Sequence, residues 1–471
     1  MNQGKKANGW LTNMINSVEG DKVIWMILFL LMLISIVTIF SSTPLLARES
    51  DSSRISILKG QLIFTGFGLL LILICYWIKN INIFKFVSKF GYLISIGMLA
   101  ILTMRIQTPL FSAAKINDAW RVIKVAGMQI HVYEVVKVAM IMYLSWALYA
   151  FKTKEYMLTD RIADKFGRLA WLKKPGWKDT VYIYIPILSV IVLIFFEGTS
   201  SALFVMMIML ITLYIGGFNM KRIVLIGAFL ILFLGSIVSL YYISGKKIVL
   251  SNRLTTAIGR ITDGSENKER MLTIQNAGRN SIEFQEAIDK LRQPISAQLA
   301  IKEGGILGKG PGHSTQRYVV PVIFGDYMYS FIIEEYGLVG GIIILILYVS
   351  LLARGSLIAR SCDNHFAKTA VAGLVILISG QAFMHMAVNV HLFPQTGQTL
   401  PLISHGTSSF LSFCIAFGII LSISKMTHRK MQRKAAEAAP IIEPRHDDIQ
   451  DRLDVLDALE SSEILEDNYE A

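Results

Sequence analysis

Residues 301–339 read IKEGGILGKGPGHSTQRYVVPVIFGDYMYSFIIEEYGLV, a glycine-rich polar stretch that leads directly into an apolar helix. One acid, Asp326, stands at the junction between Phe324 and Tyr327. Apolar neighbours raise the pKa of a carboxyl group and a nearby cation lowers it, a combination that suits a general base working near neutral pH. Asp326 also fits a helix N-cap, because aspartate is a favoured capping residue.

The residues upstream of Asp326 have the composition of an anion-binding loop. Glycines at several successive positions let backbone N–H groups approach an anion closely, and lysine and arginine suit phosphate. The glycines are followed by hydroxyl and amide side chains and by a cation. The predicted binding residues of this loop are Lys309, Ser314, Gln316 and Arg317.

The composition of the chain is that of a membrane protein. Of its 471 residues, 53% are hydrophobic and 17% are charged, whereas a soluble domain is near a quarter charged. The apolar residues fall in runs of about twenty, the length that spans a bilayer. The sequence therefore predicts an all-α polytopic membrane protein with about ten transmembrane helices. These helices fall at roughly 23–42, 60–78, 86–105, 133–151, 180–196, 201–217, 222–243, 327–352, 369–388 and 408–425.

Lysine and arginine concentrate in alternate connections, most densely at 152–178. The positive-inside rule then places both termini in the cytoplasm and accounts for the net charge of +12 without a nucleic acid partner. The cysteines at 75, 362 and 414 are scattered, so they predict no disulfide framework and no metal site.

The spans divide the chain into three predicted regions: a cytoplasmic N-terminus at 1–22, a membrane domain at 23–426 and a cytoplasmic tail at 427–471. The largest outer loop, 244–326, lies between the seventh and eighth spans. The tail is acidic and poor in aromatics, which favours disorder. A docking helix for a cytoplasmic partner is the alternative, with an apolar face at Ile449, Leu453, Leu456 and Leu459.

Ionisable residues inside the spans are costly and usually mark function. Glu334 and Glu335 lie in the eighth span, and Glu134 and Lys137 share one face of the fourth. A structural ion-pair network among these four is slightly favoured over direct catalysis. Between the last two spans, residues 389–407 hold prolines, glycines and hydroxyls, which predicts a re-entrant or cavity-lining segment.

Two stretches carry a family resemblance. The stretch GGILGKGPGHSTQRYVVPVIFGDYMYSFIIEEYGLVG and the later NVHLFPQTGQTLPLISHGTSS resemble the two signatures of the SEDS family (FtsW, RodA, SpoVE). The ten-span layout fits as well, and the resemblance covers about residues 20–425. Weaker matches are Arg121, Glu134, Lys137, Arg253–Leu254 and Gln293. The ending Ile-Glu-Glu-Tyr-Gly looks more like the division branch than the elongation branch.

The resemblance implies an inverting peptidoglycan glycosyltransferase in the bacterial inner membrane. It would polymerise lipid II during septal wall synthesis, with Asp326 as the base on the acceptor sugar hydroxyl. A divalent cation, Mg or Mn, would support the reaction. The implied partners are undecaprenyl-pyrophosphate-linked glycan, a class B penicillin-binding protein transpeptidase and other divisome proteins. The remaining implied substrate-binding residues are Arg121, Glu134, Lys137, Thr396, Ser404 and Ser408. From spacing, we expect Arg317 to contact the donor pyrophosphate.

The sequence departs from the family pattern just before the acid. The family often has Pro-Glu-x-His-Thr-Asp, whereas this chain has Pro321-Val-Ile-Phe-Gly-Asp326, so neither the Glu nor the His is required here. Two other functions stay open: a lipid II flippase or transporter, and a non-catalytic division scaffold. The absence of a recognisable internal repeat favours the enzyme over the transporter.

Overall fold

The computed structural model describes residues 19–49, 51, 53–116, 119–125, 128–155, 157–243, 272, 274–276, 281–320, 323–394 and 396–438. It forms two units, 1–427 and 428–471. Arg253–Leu254 and the apolar face predicted for the tail lie outside the described residues.

Helices make up most of the described chain, as the fold-class prediction requires. The long helices are α1 (Lys22–Ser42), α3 (Arg54–Trp77), α6 (Val132–Lys152), α10 (Thr199–Ile215), α11 (Met220–Ile243), α12 (Ile282–Gly304), α13 (Met328–Ser361), α14 (His365–Asn389) and α15 (Thr407–Ala438). The shorter helices are α2 (Pro44–Glu49), α4 (Ile81–Lys89), α5 (Gly91–Thr103), α7 (Leu158–Lys165), α8 (Pro175–Asp179) and α9 (Ile185–Glu197). A π-helical turn, Thr180–Tyr184, joins α8 to α9.

Seven stretches of the described residues are helical, long and apolar enough to cross a membrane: α1, α3, α6, the α8–α9 stretch Pro175–Phe196, α13, α14 and α15. An eighth is counted if α4 and α5, bent by 40°, form one span. These coincide with eight of the predicted spans. The other two predicted spans fall on α10, which has 17 residues, and α11, which has 24, so the count of ten stays a prediction.

Side-chain caps fix where several helices begin. The Asp21 carboxylate accepts hydrogen bonds from the N–H groups of Val23 and Ile24 at 3.0 and 3.1 Å, which satisfies two free donors at the start of α1. The same carboxylate accepts from Arg354 of α13, with Nη2 to Oδ2 at 2.6 Å. Asp21 therefore both begins α1 and ties it to α13.

A small antiparallel sheet, which the all-α prediction did not include, follows α5. Its strands are β1 (Phe111–Ile116), β2 (Ala119–Val125) and β3 (Met128–His131), in the order β1-β2-β3. The β-branched run Val122–Ile123 is buried at its centre, which is the composition that a pleated surface favours. Since β3 ends where α6 begins, the sheet holds Arg121 of β2 near the start of that helix.

The outer loop also contains regular structure that its polar composition did not predict. Its described part includes α12, which packs along α13. The backbones come close at Gly304, where an added Cβ would lie 2.1 Å from the Ile333 carbonyl oxygen. Helix α13 is interrupted at Gly337, whose φ of 72° favours glycine. The most enclosed of the candidate spans are α6, α14 and α15. Polar residues within them, such as Lys137, Gln381 and Ser408, are buried in the protein interior.

Candidate active site

Asp326 lies two residues before the start of α13. The helix begins at Met328, with Tyr327 at the N-cap position, so the structure gives Asp326 a place just outside the helix rather than the cap itself. Asp326 is partly exposed, whereas Gly325 and Tyr327 on either side are buried. A carboxylate near a helix N-terminus is favoured by the helix dipole. The acid is thus reachable from the surface while its backbone is held inside.

Three consecutive backbone carbonyls at Asp326 are held by the segment between α14 and α15. The Asn389 side-chain amide donates to the Asp326 carbonyl at 3.0 Å, and the Ser404 hydroxyl donates to the Gly325 carbonyl at 2.8 Å. The His405 N–H donates to the Phe324 carbonyl at 2.9 Å. A reactive group on a backbone fixed in this way is pre-organised. The structure therefore gives Ser404, predicted as a substrate contact, a partner in this backbone.

The imidazole of His405 adds no charge beside Asp326. Burial lowers the pKa of His405, so the ring is neutral at pH 7. Its ring packs edge-on against Phe324, with the centroids 5.6 Å apart. On this side the Asp326 backbone is therefore held by uncharged groups.

The glycine-rich loop does surround an anion, and that anion is the chain's own Glu334. Its carboxylate accepts from the Thr315 N–H at 2.8 Å and from the Lys309 ammonium at 2.8 Å. The Ser314 hydroxyl donates to its other oxygen at 2.5 Å, and the Gln316 N–H lies at 3.4 Å. The Lys309 ammonium is shared with Glu303, and its hydrogen bond lowers the pKa of the Glu303 carboxyl.

Glu335 is held by the same loop and by α1. Its carboxylate accepts from the Ser41 hydroxyl at 2.6 Å and from the Gly312 N–H at 3.0 Å. The Arg317 guanidinium lies 3.8 Å away and also donates to the Ser41 carbonyl at 3.2 Å. In this geometry Arg317, whose side chain is 10% exposed, contacts protein groups. The phosphate role of Lys309, Ser314, Gln316 and Arg317 stays a prediction.

A second polar cluster joins α6 to the segment between α14 and α15. The ammonium of Lys137 donates to Glu134 at 2.7 Å, to Gln381 at 2.5 Å and to Gln398 at 3.1 Å. Glu334 and Glu335 are paired elsewhere, so the four intramembrane charges form two networks rather than the single one that the sequence suggested. An ammonium has three donors, and here each has an acceptor.

Several buried polar atoms in this second cluster have no hydrogen-bond partner within the described part of the chain. They are Nε of Arg121, Oε2 of Glu134 and Oγ1 of Thr396. The Arg121 guanidinium lies beside Gly397, where an added Cβ would be 3.4 Å from Nη1. Buried polar groups are rarely left unpaired, and such groups often mark sites that bind a ligand or water. The substrate-binding role of Arg121, Glu134 and Thr396 stays a prediction.

Ser408 connects this cluster to the last helix. Its hydroxyl accepts from the His131 N–H at 2.9 Å, which joins the end of β3 to the start of α15.

Sequence reasoning missed Gln381 and Gln398, the two amides that bind Lys137. A glutamine within an apolar span, such as Gln381, is a signal that could have been used. Ser41, at the end of a span, carries no such signal.

Replacing Lys137 with methionine should destabilise the protein by about 3 kcal/mol, because it leaves Glu134 without its counter-charge. The measurement is the thermal unfolding temperature of the detergent-solubilised chain. Lys152→Met, at the exposed end of the same helix, is the matched control and should have little effect. The double variant Glu134→Gln with Lys137→Met should recover most of the loss. Equal unfolding temperatures for Lys137→Met and Lys152→Met would contradict the pairing.

The chain is similar to known proteins over most of its length. Residues 21–429 match the family model FTSW_RODA_SPOVE, described as "Cell cycle protein". A probable peptidoglycan glycosyltransferase FtsW of Geobacter sulfurreducens is 25% identical over 409 residues, which are 86% of this chain and 95% of that protein.

Two other relatives have a higher sequence identity to this chain, over a shorter stretch. The probable peptidoglycan glycosyltransferase FtsW of Caulobacter vibrioides is 37% identical over 131 residues, 28% of this chain. The peptidoglycan glycosyltransferase MrdB of Escherichia coli K12 is 36% identical over 143 residues, 30% of this chain. These alignments span 34% and 38% of the length of those two relatives.

Solved structures share the fold. A chain from a peptidoglycan synthase complex, in a study of coordinated polymerisation and crosslinking, has a TM-score of 0.55 and 19% identity. The match covers 87% of this chain and 98% of the chain from the complex. The Rod shape determining protein RodA of Thermus thermophilus has a TM-score of 0.50 and 18% identity. The match covers 88% of this chain and 98% of the RodA chain. With the family match and the membrane-length helices, these findings show that the chain is a multi-pass membrane protein of the FtsW/RodA/SpoVE family.

Proposed function

We propose that this protein is a peptidoglycan glycosyltransferase that polymerises lipid II into glycan strands during septal wall synthesis. The observation that carries the proposal is the Asp326 carboxylate, partly exposed at the start of α13 on a backbone held by three hydrogen bonds from Asn389, Ser404 and His405. The relatives of this chain named peptidoglycan glycosyltransferases support the choice of reaction.

In the proposed reaction Asp326 acts as the general base. Its carboxylate takes the proton from the sugar hydroxyl of the acceptor lipid II, and the resulting oxygen attacks the anomeric carbon of the donor chain. The new glycosidic bond forms as the bond to undecaprenyl pyrophosphate breaks, and the configuration at the anomeric carbon inverts. The proton stays on Asp326 until water removes it.

The leaving pyrophosphate requires positive charge. Arg121 is the proposed source of this charge, since its buried Nε has no hydrogen-bond partner among the described residues, and Arg317 and Lys309 stay predicted contacts. A divalent cation, Mg or Mn, would offset further charge on the pyrophosphate. Within the described ranges no group of three or more His, Cys, Asp or Glu side chains is arranged to hold such an ion, so the proposal assigns it no protein ligands.

The protein would work in the bacterial inner membrane with both termini in the cytoplasm. The basic connections support this orientation through the positive-inside rule. A class B penicillin-binding protein transpeptidase is the proposed partner, together with other divisome proteins. Support for it comes from the structural similarity to a chain of a complex that polymerises and crosslinks peptidoglycan.

The test is polymerisation of labelled lipid II by the purified full chain, with and without the cognate transpeptidase, in the presence of Mg or Mn. The proposal expects a ladder of glycan products. A protein that makes no polymer with its partner and cation present, yet moves labelled lipid II across vesicle membranes, would be a transporter instead. A scaffold would do neither.

Arg121→Ala should lower kcat/KM for lipid II by about 10- to 100-fold, because a hydrogen bond to a charged group contributes about 1.5–3 kcal/mol. Lys124→Ala is the matched control, since Lys124 is an exposed cation on the same strand. Initial rates of polymerisation at varied lipid II concentration give the comparison. Similar losses of kcat/KM in both variants would show a general electrostatic effect. Arg121 would then have no specific role in substrate binding.

A further inference from the structure

A cavity lies at the end of α6 that is farthest from the second polar cluster. Helix α6 starts beside that cluster and runs 21 residues, or roughly 30 Å, to Lys152. The cavity, of about 460 Å³, opens between α4 and this far end. Its lining residues are Asn82, Lys85, Phe86, Lys89, Tyr149, Thr153 and Glu155. A span of this length places the cavity at the opposite membrane face from the candidate active site.

Two lysines give the cavity a positive wall. Lys85 and Lys89 are four residues apart on α4 and therefore lie on one face of that helix. The Lys85 ammonium lies 3.7 Å from the centre of the Tyr149 ring. The Lys89 ammonium lies 3.0 Å from Glu155, and both side chains are 37% exposed. Such an exposed ion pair is weak, so an anion entering the cavity can compete with Glu155 for the cation.

The outer surface of α4 is apolar. Ile83, Phe86, Val87 and the adjoining Phe90 are all largely exposed, with Phe86 at 61%. A short helix with cations on one side and exposed apolar residues on the other is typical of the membrane interface. Phe86 belongs to both surfaces, because it lines the cavity and is exposed outside it. The positive cavity and a lipid-facing surface are therefore continuous.

We propose that this cavity binds the headgroup phosphate of an anionic phospholipid. Lys85 and Lys89 contact the phosphate, while the acyl chains lie along Phe86 and Val87. Basic pockets beside transmembrane helices recognise anionic headgroups in this way, and charge-assisted hydrogen bonds from lysine to phosphate are strong. Glu155 would be displaced from Lys89 when the phosphate enters. This binding site is separate from the proposed glycosyltransferase reaction.

The experiment is native mass spectrometry of the detergent-solubilised full chain, with phosphatidylglycerol and phosphatidylcholine supplied in equal amounts. We expect phosphatidylglycerol to be retained about tenfold better than phosphatidylcholine. Lys85→Ala with Lys89→Ala should remove that preference. Lys221→Ala with Lys368→Ala, which removes two exposed lysines elsewhere, is the matched control and should keep it. Loss of the preference in both double variants would overturn the site.

A third variant tests the proposal, because it should increase the retention of phosphatidylglycerol rather than decrease it. Glu155→Gln keeps both lysines and removes the competing carboxylate, so it should retain phosphatidylglycerol better than the wild type. A merely structural role for the Lys89–Glu155 pair predicts no such gain, and unchanged or weaker retention would overturn the proposed displacement.

Free glycerol 3-phosphate tests the source of the phosphate. Tight binding of this soluble compound through Lys85 and Lys89 would show a soluble ligand and overturn the lipid.

Discussion

Asp326→Asn should lower the rate of lipid II polymerisation by at least about 100-fold, because a positioned general base contributes about 10²–10⁴ to the rate. Asparagine has nearly the same shape as aspartate but takes up no proton at neutral pH. The side chain lies partly exposed outside α13, so the substitution should leave the fold unchanged. The measurement is the initial rate of glycan formation by the purified chain with its transpeptidase partner.

The matched control is Asp363→Asn, which removes a carboxylate from the exposed turn between α13 and α14. It should polymerise lipid II at the wild-type rate. Thermal unfolding of both variants checks that the loss is chemical rather than structural. An Asp326→Asn protein that is folded and nearly as active as the control would remove Asp326 from the reaction, and the transport and scaffold functions would then need testing.

Gly308→Ala should disrupt the loop that surrounds Glu334 and Glu335. Gly308 has a φ of +81°, and an added Cβ would lie 2.3 Å from the Glu335 carbonyl oxygen. The backbone there has to move, because the obstacle is main chain rather than a flexible side chain. The N–H of Gly310 donates to that same carbonyl at 2.9 Å, so the movement breaks the contact between loop and helix. We expect a large fall in both unfolding temperature and polymerisation rate.

Gly305→Ala separates this clash from backbone strain. Gly305 also has a positive φ, +55°, but an added Cβ there meets no atom within 4 Å. Both alanines carry the cost of a left-handed conformation, about 1–2 kcal/mol. Gly308→Ala should therefore be destabilised by at least about 3 kcal/mol more than Gly305→Ala. Unfolding curves of equal midpoint for the two variants would show that the loop is not held against α13.

The sequence predicted the helices well because apolar runs of membrane length leave few alternatives. The position of Asp326 at the junction before α13 and the anion-binding character of the loop were also predictable, since both depend on local residue types. The catalytic role of Asp326 stays a prediction. What the loop binds was not predictable. The partner of Glu334 is Lys309 rather than Lys137, because the glycine-rich loop folds back onto α13, where the Lys309 N–H donates to the Glu334 carbonyl at 2.9 Å. The residue types alone do not reveal this folding back of the loop.

The sheet and α12 were missed for a different reason. Both occupy connections whose mixed polarity resembles that of irregular loops, and both are stabilised by packing on neighbouring helices. The contact between the Ser404 hydroxyl and the Gly325 carbonyl was missed for the same reason, because the two residues are 79 positions apart in the sequence. The substrate-binding role of Ser404 stays a prediction. Contacts between segments distant in sequence decide such cases, and they appear only once the helices are packed.

The bonds that hold Asp326 also determine when the acid becomes fixed during synthesis. Ser404 follows Gly325 by 79 residues, so a ribosome adding 5–20 residues per second needs roughly 4–16 s to reach it. Until α14 and the following segment have been inserted, the backbone at Asp326 lacks its hydrogen-bond donors. A nascent chain that has already placed α13 in the membrane therefore carries Asp326 on a backbone that is not yet held, and competence for the proposed reaction arises only after Ser404 and His405 have been synthesised.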